Sequence, residues 1–281
     1  MSKTKELLKS LDEKIKKVQS SDEFKEILKT FSKFHNYSFQ NSLLIKMQCP
    51  EASFVAGFRQ WQNKFNRNVK KNEKGIAILA PFTFNKKVTE VKEVQVGNTI
   101  QEREIERTVK QTYFKPVYVF DISQTEGDPL PELDLSVDDN LEFNLLDRLI
   151  GLADSESLKV EFKSLNEKLD GYINNETITI REEANDTEKA SILVHELAHY
   201  YLHQNIESKD ELTKEIIEME AEAVAFVVMD HFNIEIKSDK YLALYKKSYD
   251  LNESLKKINK ASNKIIYHIK ESLDLTTSKV S

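Results

Sequence analysis

A chain of 281 residues, 40% apolar and 31% charged, has the composition of a folded globular protein and the length for one large domain or two ordinary ones. No apolar run approaches the roughly 20 residues of a membrane span, and the charged N-terminus MSKTKELLKSLDEKIKKVQS lacks the apolar core of a secretory signal. Cys49 is the only cysteine, which excludes an internal disulfide and cysteine-ligated zinc and fits a reducing cytoplasm. Any zinc site must therefore be made of His, Asp and Glu.

The formal charge of −6 conceals a division. Residues 1–131 carry 23 Lys/Arg against 16 Asp/Glu, a net of +7, whereas residues 132–281 carry 18 against 31, a net of −13. Such asymmetry suggests two modules with different partners, the basic one suited to a polyanion.

In chain order, residues 4–35 are predicted helical, because Leu7, Leu8, Leu11, Ile15 and Val18 recur at threes and fours. SSDEF supplies an N-cap for a second helix through Phe34. HNYSFQNSLLIKMQCP predicts a short helix stopped by Pro50, and VAGFRQWQNKF a further helical turn. From Ile76 the pattern changes: GIAILAPFTF and KPVYVFDISQT each read as a strand. Between them Val and Ile alternate with charged residues around GNT, predicting a separate exposed hairpin.

TEGDPLPELD combines Gly, Pro and acidic residues and marks a boundary, giving domains 1–131 and 132–281. The second half opens with a helix, LEFNLLDRLIGLADSE. GYINNETITI then reads as two short strands around a turn. Three helices follow: Thr187–Gln204, Lys209–Phe232, and one from about Asp239 to Leu275. The fold class is α+β: a basic helix and sheet domain followed by a mostly helical domain with a small β-sheet.

The first of these three helices, Thr187–Gln204, carries ILVHELAHYYLH. On a helix, positions i and i+4 share a face, so His195 and His199 can offer imidazoles to one ion. Glu196, beside the first, is placed to take a proton from a water that zinc acidifies. A third ligand is available in EIIEMEAEAVAF. There Glu218 and Glu222 share a face, a spacing that suits a ligand followed by a carboxylate holding a ligand's free N–H. Glu220, on a different face, is the competing ligand. His203 extends the histidine stripe and is read as supporting the site rather than ligating. Tyr200 and Tyr201 offer hydroxyls for a developing oxyanion or, as neighbours on a packed helix, core rings. His35, His231 and His268 are read as structural.

GYINNETITI, ASILVHELAHYYLH and EIIEMEAEAVAFVV together resemble the ImmA/IrrE family of zinc metallopeptidases. The resemblance implies a gluzincin-like plan with His195, His199 and Glu218 as Zn²⁺ ligands and Glu196 as general base. Its E-x-x-A-x-x-x-A-F element covers Glu218, Ala221, Ala225 and Phe226. The family often has Asn where this chain has Glu222.

In the basic half, GFRQWQNKFNRNVKKNEKGIAIL interleaves Arg59, Lys64, Arg67, Lys70, Lys71 and Lys74 with Phe58, Trp61 and Phe65. Cations that follow phosphates and rings that stack on bases are the mixture used by single-strand binders; the same rings also suit a core with the lysines as its solvated face. The stretch from FHNYSFQNSLL to APF, followed by VFDISQTEGDPLP, is similar to the N-terminal domain of ArdC-type antirestriction proteins over roughly residues 30–131. That resemblance implies a domain that binds single-stranded DNA, with Trp61 and the six cations as contacts, followed by a metallopeptidase-like domain.

The expectation is a cytoplasmic antirestriction-type protein of a plasmid or phage that binds single-stranded DNA, carries a zinc-dependent peptidase site for a protein substrate, and has no membrane partner. Two rival readings are a DNA-binding protein with a purely structural zinc site, and a peptidase that cleaves a repressor and docks proteins through its N-terminal module.

Overall fold

The computed structural model describes residues 2–18, 20–96, 99–130, 144–166, 169–204, 213–236 and 250–277. The expected turn at 97–98, the boundary segment beyond residue 130 and the expected helix starts at 209–212 and 239–249 lie outside these residues.

Three helices open the chain: α1 (Lys3–Lys16), α2 (Ser21–Lys33) and α3 (Phe39–Gln48). Each starts where a serine oxygen accepts an otherwise orphan backbone N–H: Ser2 from Lys5, Ser20 from Glu23 and Ser38 from Asn41. At α2 the Glu23 carboxylate also accepts from the Ser20 amide, closing a capping box. Leu7, Leu11 and Ile15 of α1 are buried at the spacing that predicts them.

A short strand β1 (Val55–Gly57) leads into α4 (Phe58–Asn63) and β2 (Arg67–Val69). The next strands differ from expectation. The two predicted strands and the hairpin between them form one continuous ribbon, β3 (Ile76–Val96) paired antiparallel with β4 (Thr99–Asp121). No glycine falls within Ile76–Val96 or Thr99–Asp121, so no glycine turn signal ends the ladder within either strand. At its base the ribbon is core: Ile76, Ile78 and Val119 pack with Phe34, Ile45 and Val55, while Ala77 and Leu79 on the other face meet Leu7 and Leu44. β1 pairs with β4, giving the sheet order β1-β4-β3, and β2 pairs with β5 (Thr125–Gly127).

The outer side of β3 is closed by side chains of α3. The Asn41 amide donates to the Leu79 carbonyl and accepts from the Leu79 N–H, both at 2.9 Å. Gln48 does the same for Ala77, at 2.8 and 3.0 Å. Two amides seven residues apart thus stand in for a missing neighbour strand.

The second half contains α5 (Leu145–Ser155), β6 (Lys159–Lys163), β7 (Gly171–Asn174), β8 (Thr177–Arg181), α6 (Asp186–His203), α7 (Lys214–His231) and α8 (Leu251–Thr277). The sheet has the order β6-β8-β7, with β6 parallel and β7 antiparallel to β8. Asn185 and Glu188 form a capping box that fixes the start of α6. No helix among the described residues is long and apolar enough to cross a membrane.

Helices α1–α3 bury Leu11, Ile15, Phe24, Leu28, Phe31 and Leu43 in the same apolar cluster as α5–α8. The junction between α2 and α7 is polar at one end. Ser32 donates to Asp230 at 2.6 Å, His231 Nδ1 lies 2.8 Å from the Ser32 carbonyl, and the His35 and His231 rings stand 4.4 Å apart. Both imidazoles are packed into this junction between helices.

Burial first, then the charges of His231 and Lys270, push the His35 imidazole down to about 3; burial also lowers His231. The folded chain therefore refuses protons that the unfolded chain takes up near pH 6.5. For His35, stability is fully present above that value and falls as pH drops from about 6.5 toward 3, by up to about 1.4 kcal/mol per pH unit, and His231 acts in the same direction. Urea denaturation at pH 7 and pH 5 checks this: the wild type should lose about 2 kcal/mol more than His35→Gln, and equal losses would contradict it.

Candidate metal centre

Helix α6 is buried along Leu193, Val194, Leu197 and Ala198. That fixes its rotation, so His195 and His199 emerge together on the flank facing α7. On α7, Ala221 and Ala225 are almost fully buried, and their small side chains let the two helices approach closely. The carboxylate of Glu218, one turn before Ala221, is thereby brought to the histidines.

The donor atoms of His195, His199 and Glu218 all lie within 4.8 Å of one another. The two Nε2 atoms are 3.0 Å apart, and a Glu218 oxygen lies 3.5 Å from the first and 3.7 Å from the second. Ligands held tetrahedrally about one zinc at 2.0–2.1 Å stand roughly 3.3 Å apart. The observed separations bracket that value, so the donor set fits a small divalent cation.

The outer nitrogens of the histidines are also held. His195 Nδ1 lies 3.1 Å from the Glu222 carboxylate, which leaves Nε2 its lone pair for a cation. His199 Nδ1 lies 3.3 Å from His203 Nδ1. His203 Nε2 is 2.9 Å from Glu220, and Ser254 of α8 donates to the other oxygen of that carboxylate. Glu220 is almost fully buried in this chain and turned from the donor cluster, so it does not compete as a ligand. The Ser254–Glu220 end was absent from the sequence reading.

Glu196 is 6% exposed and is raised above the usual carboxylate range, chiefly by burial. It accepts a hydrogen bond from the backbone N–H of Ile173 in β7. Strand β7 comes this close because Gly171 has no side chain: a Cβ there would stand 2.6 Å from Ile192 and 3.5 Å from Glu196. Burial works to lower His195, yet hydrogen bonds to Glu218 and Glu222 outweigh it and lift the imidazole to about 9. The bonds from both histidines hold Glu218 well below the ordinary carboxylate range. A proton thus draws the three donors together, and a divalent cation would replace it.

The cluster opens on a cleft of about 560 Å³ bounded by Gly171, Ile192, Met219 and Ile236. Among the described residues lining it, the carboxylates Asp170, Glu188, Glu196, Glu218, Glu222 and Glu235 stand against one arginine, Arg181, itself 3.1 Å from Asp170. Tyr201 donates to Glu156, so its hydroxyl is not given to the cluster, and the Tyr200 ring packs against the core.

The basic stretch is arranged differently from expectation. Trp61 is fully buried: its indole N–H donates to the Phe120 carbonyl at 3.0 Å, and its ring packs on Phe54 and Phe65. No face remains to stack on a base, and the assignment of Trp61 to DNA is corrected. Arg67 spends its guanidinium on Thr125, Gly127 and Asp128, tying β2 to β5, which removes it from the phosphate contacts. Lys70 donates to the Ser123 carbonyl at 2.9 Å but remains exposed. Arg59, Lys64, Lys71 and Lys74 are exposed.

Comparison with known proteins places two descriptions on the chain. Residues 2–120 match the family model for the N-terminal domain of the anti-restriction factor ArdC, and residues 153–256 match the Peptidase M78 model, the IrrE N-terminal-like domain. The uncharacterized protein pXO2-81 of Bacillus anthracis is 28% identical over 294 residues, covering 91% of this chain. The chain spans about half, 49%, of that relative's length. Crystal structures of the antirestriction protein ArdC from plasmid R388 align with a TM-score of 0.44. The metal-free form is 19% identical over 83% of both chains, and the Mn(II)-bound form is 17% identical over 82% of this chain and 81% of that one.

Proposed function

From a chain that joins an N-terminal domain of the ArdC anti-restriction type to an IrrE-like domain of a metallopeptidase-type family, we propose a protein that binds single-stranded DNA and hydrolyses peptide bonds at a zinc centre. The division is placed at 131–132, between the two matched stretches. The cytoplasm of a cell carrying a plasmid or phage is the proposed setting.

One observation carries the hydrolytic reading: three donors of the right type and spacing meet beside a buried glutamate in an open cleft. A structural zinc is closed by four protein ligands, whereas three ligands and a cleft leave a position for chemistry. When bound, zinc supplies Lewis-acid chemistry, polarising a carbonyl and acidifying water. The chain's own residues do the rest. Glu222 and the His203–Glu220–Ser254 chain orient the two imidazoles. Glu196, its basicity raised by burial and its position fixed by the Ile173 amide, takes a proton from water and delivers it to the leaving amine.

The excess of carboxylates in the cleft repels phosphates and attracts cations. Peptide segments rich in Lys or Arg are the proposed substrates, and DNA is held elsewhere, by Arg59, Lys64, Lys70, Lys71 and Lys74. Both parts are testable on the full chain. Zinc-loaded protein should cut members of a basic peptide library and stop when the metal is chelated; failure to cut any peptide, or cutting that survives chelation, removes the peptidase reading. Single-strand affinity should fall with salt, with a slope of about −0.7 for each phosphate contact in log K against log salt, and salt-independent binding would remove the DNA reading.

A further inference from the structure

With Trp61 withdrawn into the core, the aromatic surface lies elsewhere. Opposed residues of an antiparallel pair share a face, so Ala80 and Lys115, Phe82 and Tyr113, Phe84 and Gln111, Lys86 and Val109, and Val88 and Arg107 form one side of the ribbon. Nearer its base the same face is core, at Ile76, Ile78 and Val119. Beyond Ala80 the ribbon carries rings that no core among the described residues covers. Phe82 is 39%, Phe84 44% and Tyr113 37% exposed.

The rings form one group. The centroids of Phe82 and Tyr113 lie 5.9 Å apart, and those of Phe84 and Tyr113 5.5 Å apart. The Lys115 ammonium stands 5.2 Å from the Phe82 centroid and 5.0 Å from that of Tyr113. Residues 80–88 and 107–115 hold five Lys/Arg and no Asp or Glu. Of these, Lys115, Lys86 and Arg107 share the face with the rings, Lys115 toward the base and the other two beyond. Arg107 is paired with Glu90 at 3.0 Å.

We infer that this face of the β3–β4 ribbon, built on Phe82, Phe84 and Tyr113 with Lys115 and Lys86 beside them, is the platform on which the bases of a single strand stack. The inference rests on the reading that the chain binds single-stranded DNA, and it replaces Trp61 with a surface that has ring faces to offer. Successive same-face residues of a strand are about 6.7 Å apart, so Phe82 and Phe84 offer two stacking positions in line along one edge. Every base has a π-face, so such a platform tolerates any sequence, while the cations at either end hold the backbone. Arg107 and Lys87 are engaged by Glu90 and Glu106, but Lys115 and Lys86, beside the rings, have no carboxylate bridged to them among the described residues and favour a polyanion over an ordinary protein partner.

The experiment measures binding of a single-stranded oligothymidylate to the full chain and to two triple variants. In one, Phe82, Phe84 and Tyr113 become alanine; in the other they become leucine, which keeps apolar bulk and removes the π-faces. Both should lose about 10–100-fold in affinity while the salt slope stays unchanged, and Lys115→Ala should reduce that slope by about 0.7. Wild-type affinity in the alanine variant would overturn the platform and leave the DNA-binding reading intact, with bases stacked elsewhere. Full binding by the leucine variant would overturn stacking in favour of plain apolar contact. A wild-type chain that binds anionic phospholipid vesicles but no oligonucleotide would sink both. Circular dichroism of the variants should match the wild type, since all three side chains are exposed.

Discussion

Glu196→Gln is expected to keep its metal and lose hydrolysis by roughly 10²–10⁴-fold, the usual worth of a positioned general base. The substitution suits the site because the glutamine carbonyl can still accept the Ile173 N–H that the carboxylate accepts now. Shape and burial are kept, and only the capacity to take a proton is lost. Cleavage rate and zinc content measured on one preparation separate the two effects. A variant that cuts at the wild-type rate would remove Glu196 from the proton-transfer role, and one that loses zinc would show that the residue acts through structure.

The second large effect concerns the donors themselves. His199→Ala or Glu218→Ala leaves two protein groups of three, and zinc affinity, read by competition with a chromophoric chelator, should fall by well over the roughly 10–100-fold that removal of an orienting group costs. Glu222→Ala and His203→Ala remove orienting groups only, at His195 and His199 respectively. They should retain the site and show that smaller loss. The ordering is the point of the experiment. If His203→Ala costs as much as His199→Ala, His203 is itself a ligand. If Glu218→Ala costs nothing, the third donor lies elsewhere.

How much of this was legible beforehand follows from the range of each interaction. His195, Glu196 and His199 sit on one helix, where the 3.6-residue period converts spacing into direction, and the Glu218–Glu222 pair reads the same way. The groups behind them are not local. Glu220 meets His203 and Ser254 because three helices converge, and 34 residues separate that glutamate from the serine. The close approach of β7 to α6 is hinted at by Gly171 but depends on where Ile192 falls.

Trp61 shows the converse difficulty. An aromatic residue among lysines fits a stacking surface and a core equally well in composition, and the choice turned on the Phe120 carbonyl, 59 residues away. The exposed rings at Phe82, Phe84 and Tyr113 were hidden by an apolar run that reads as a strand buried along its length. Among the described residues, the helices pack against the base of the ribbon. The parallel strand β6 was missed because KVEFK is short and its partner β8 comes after another strand. The burial of α1–α3 against α5–α8 likewise runs across the charge division at residue 131, which periodicity alone cannot reveal.

The most direct test is X-ray absorption at the zinc edge on the full chain loaded with one equivalent of the metal. The account predicts a four-coordinate spectrum with two imidazoles at about 2.0–2.1 Å and the remaining scatterers light oxygens, from Glu218 and solvent; His195→Ala and His199→Ala should each remove one imidazole. A spectrum with no imidazole scattering, or one unchanged by either substitution, would contradict it.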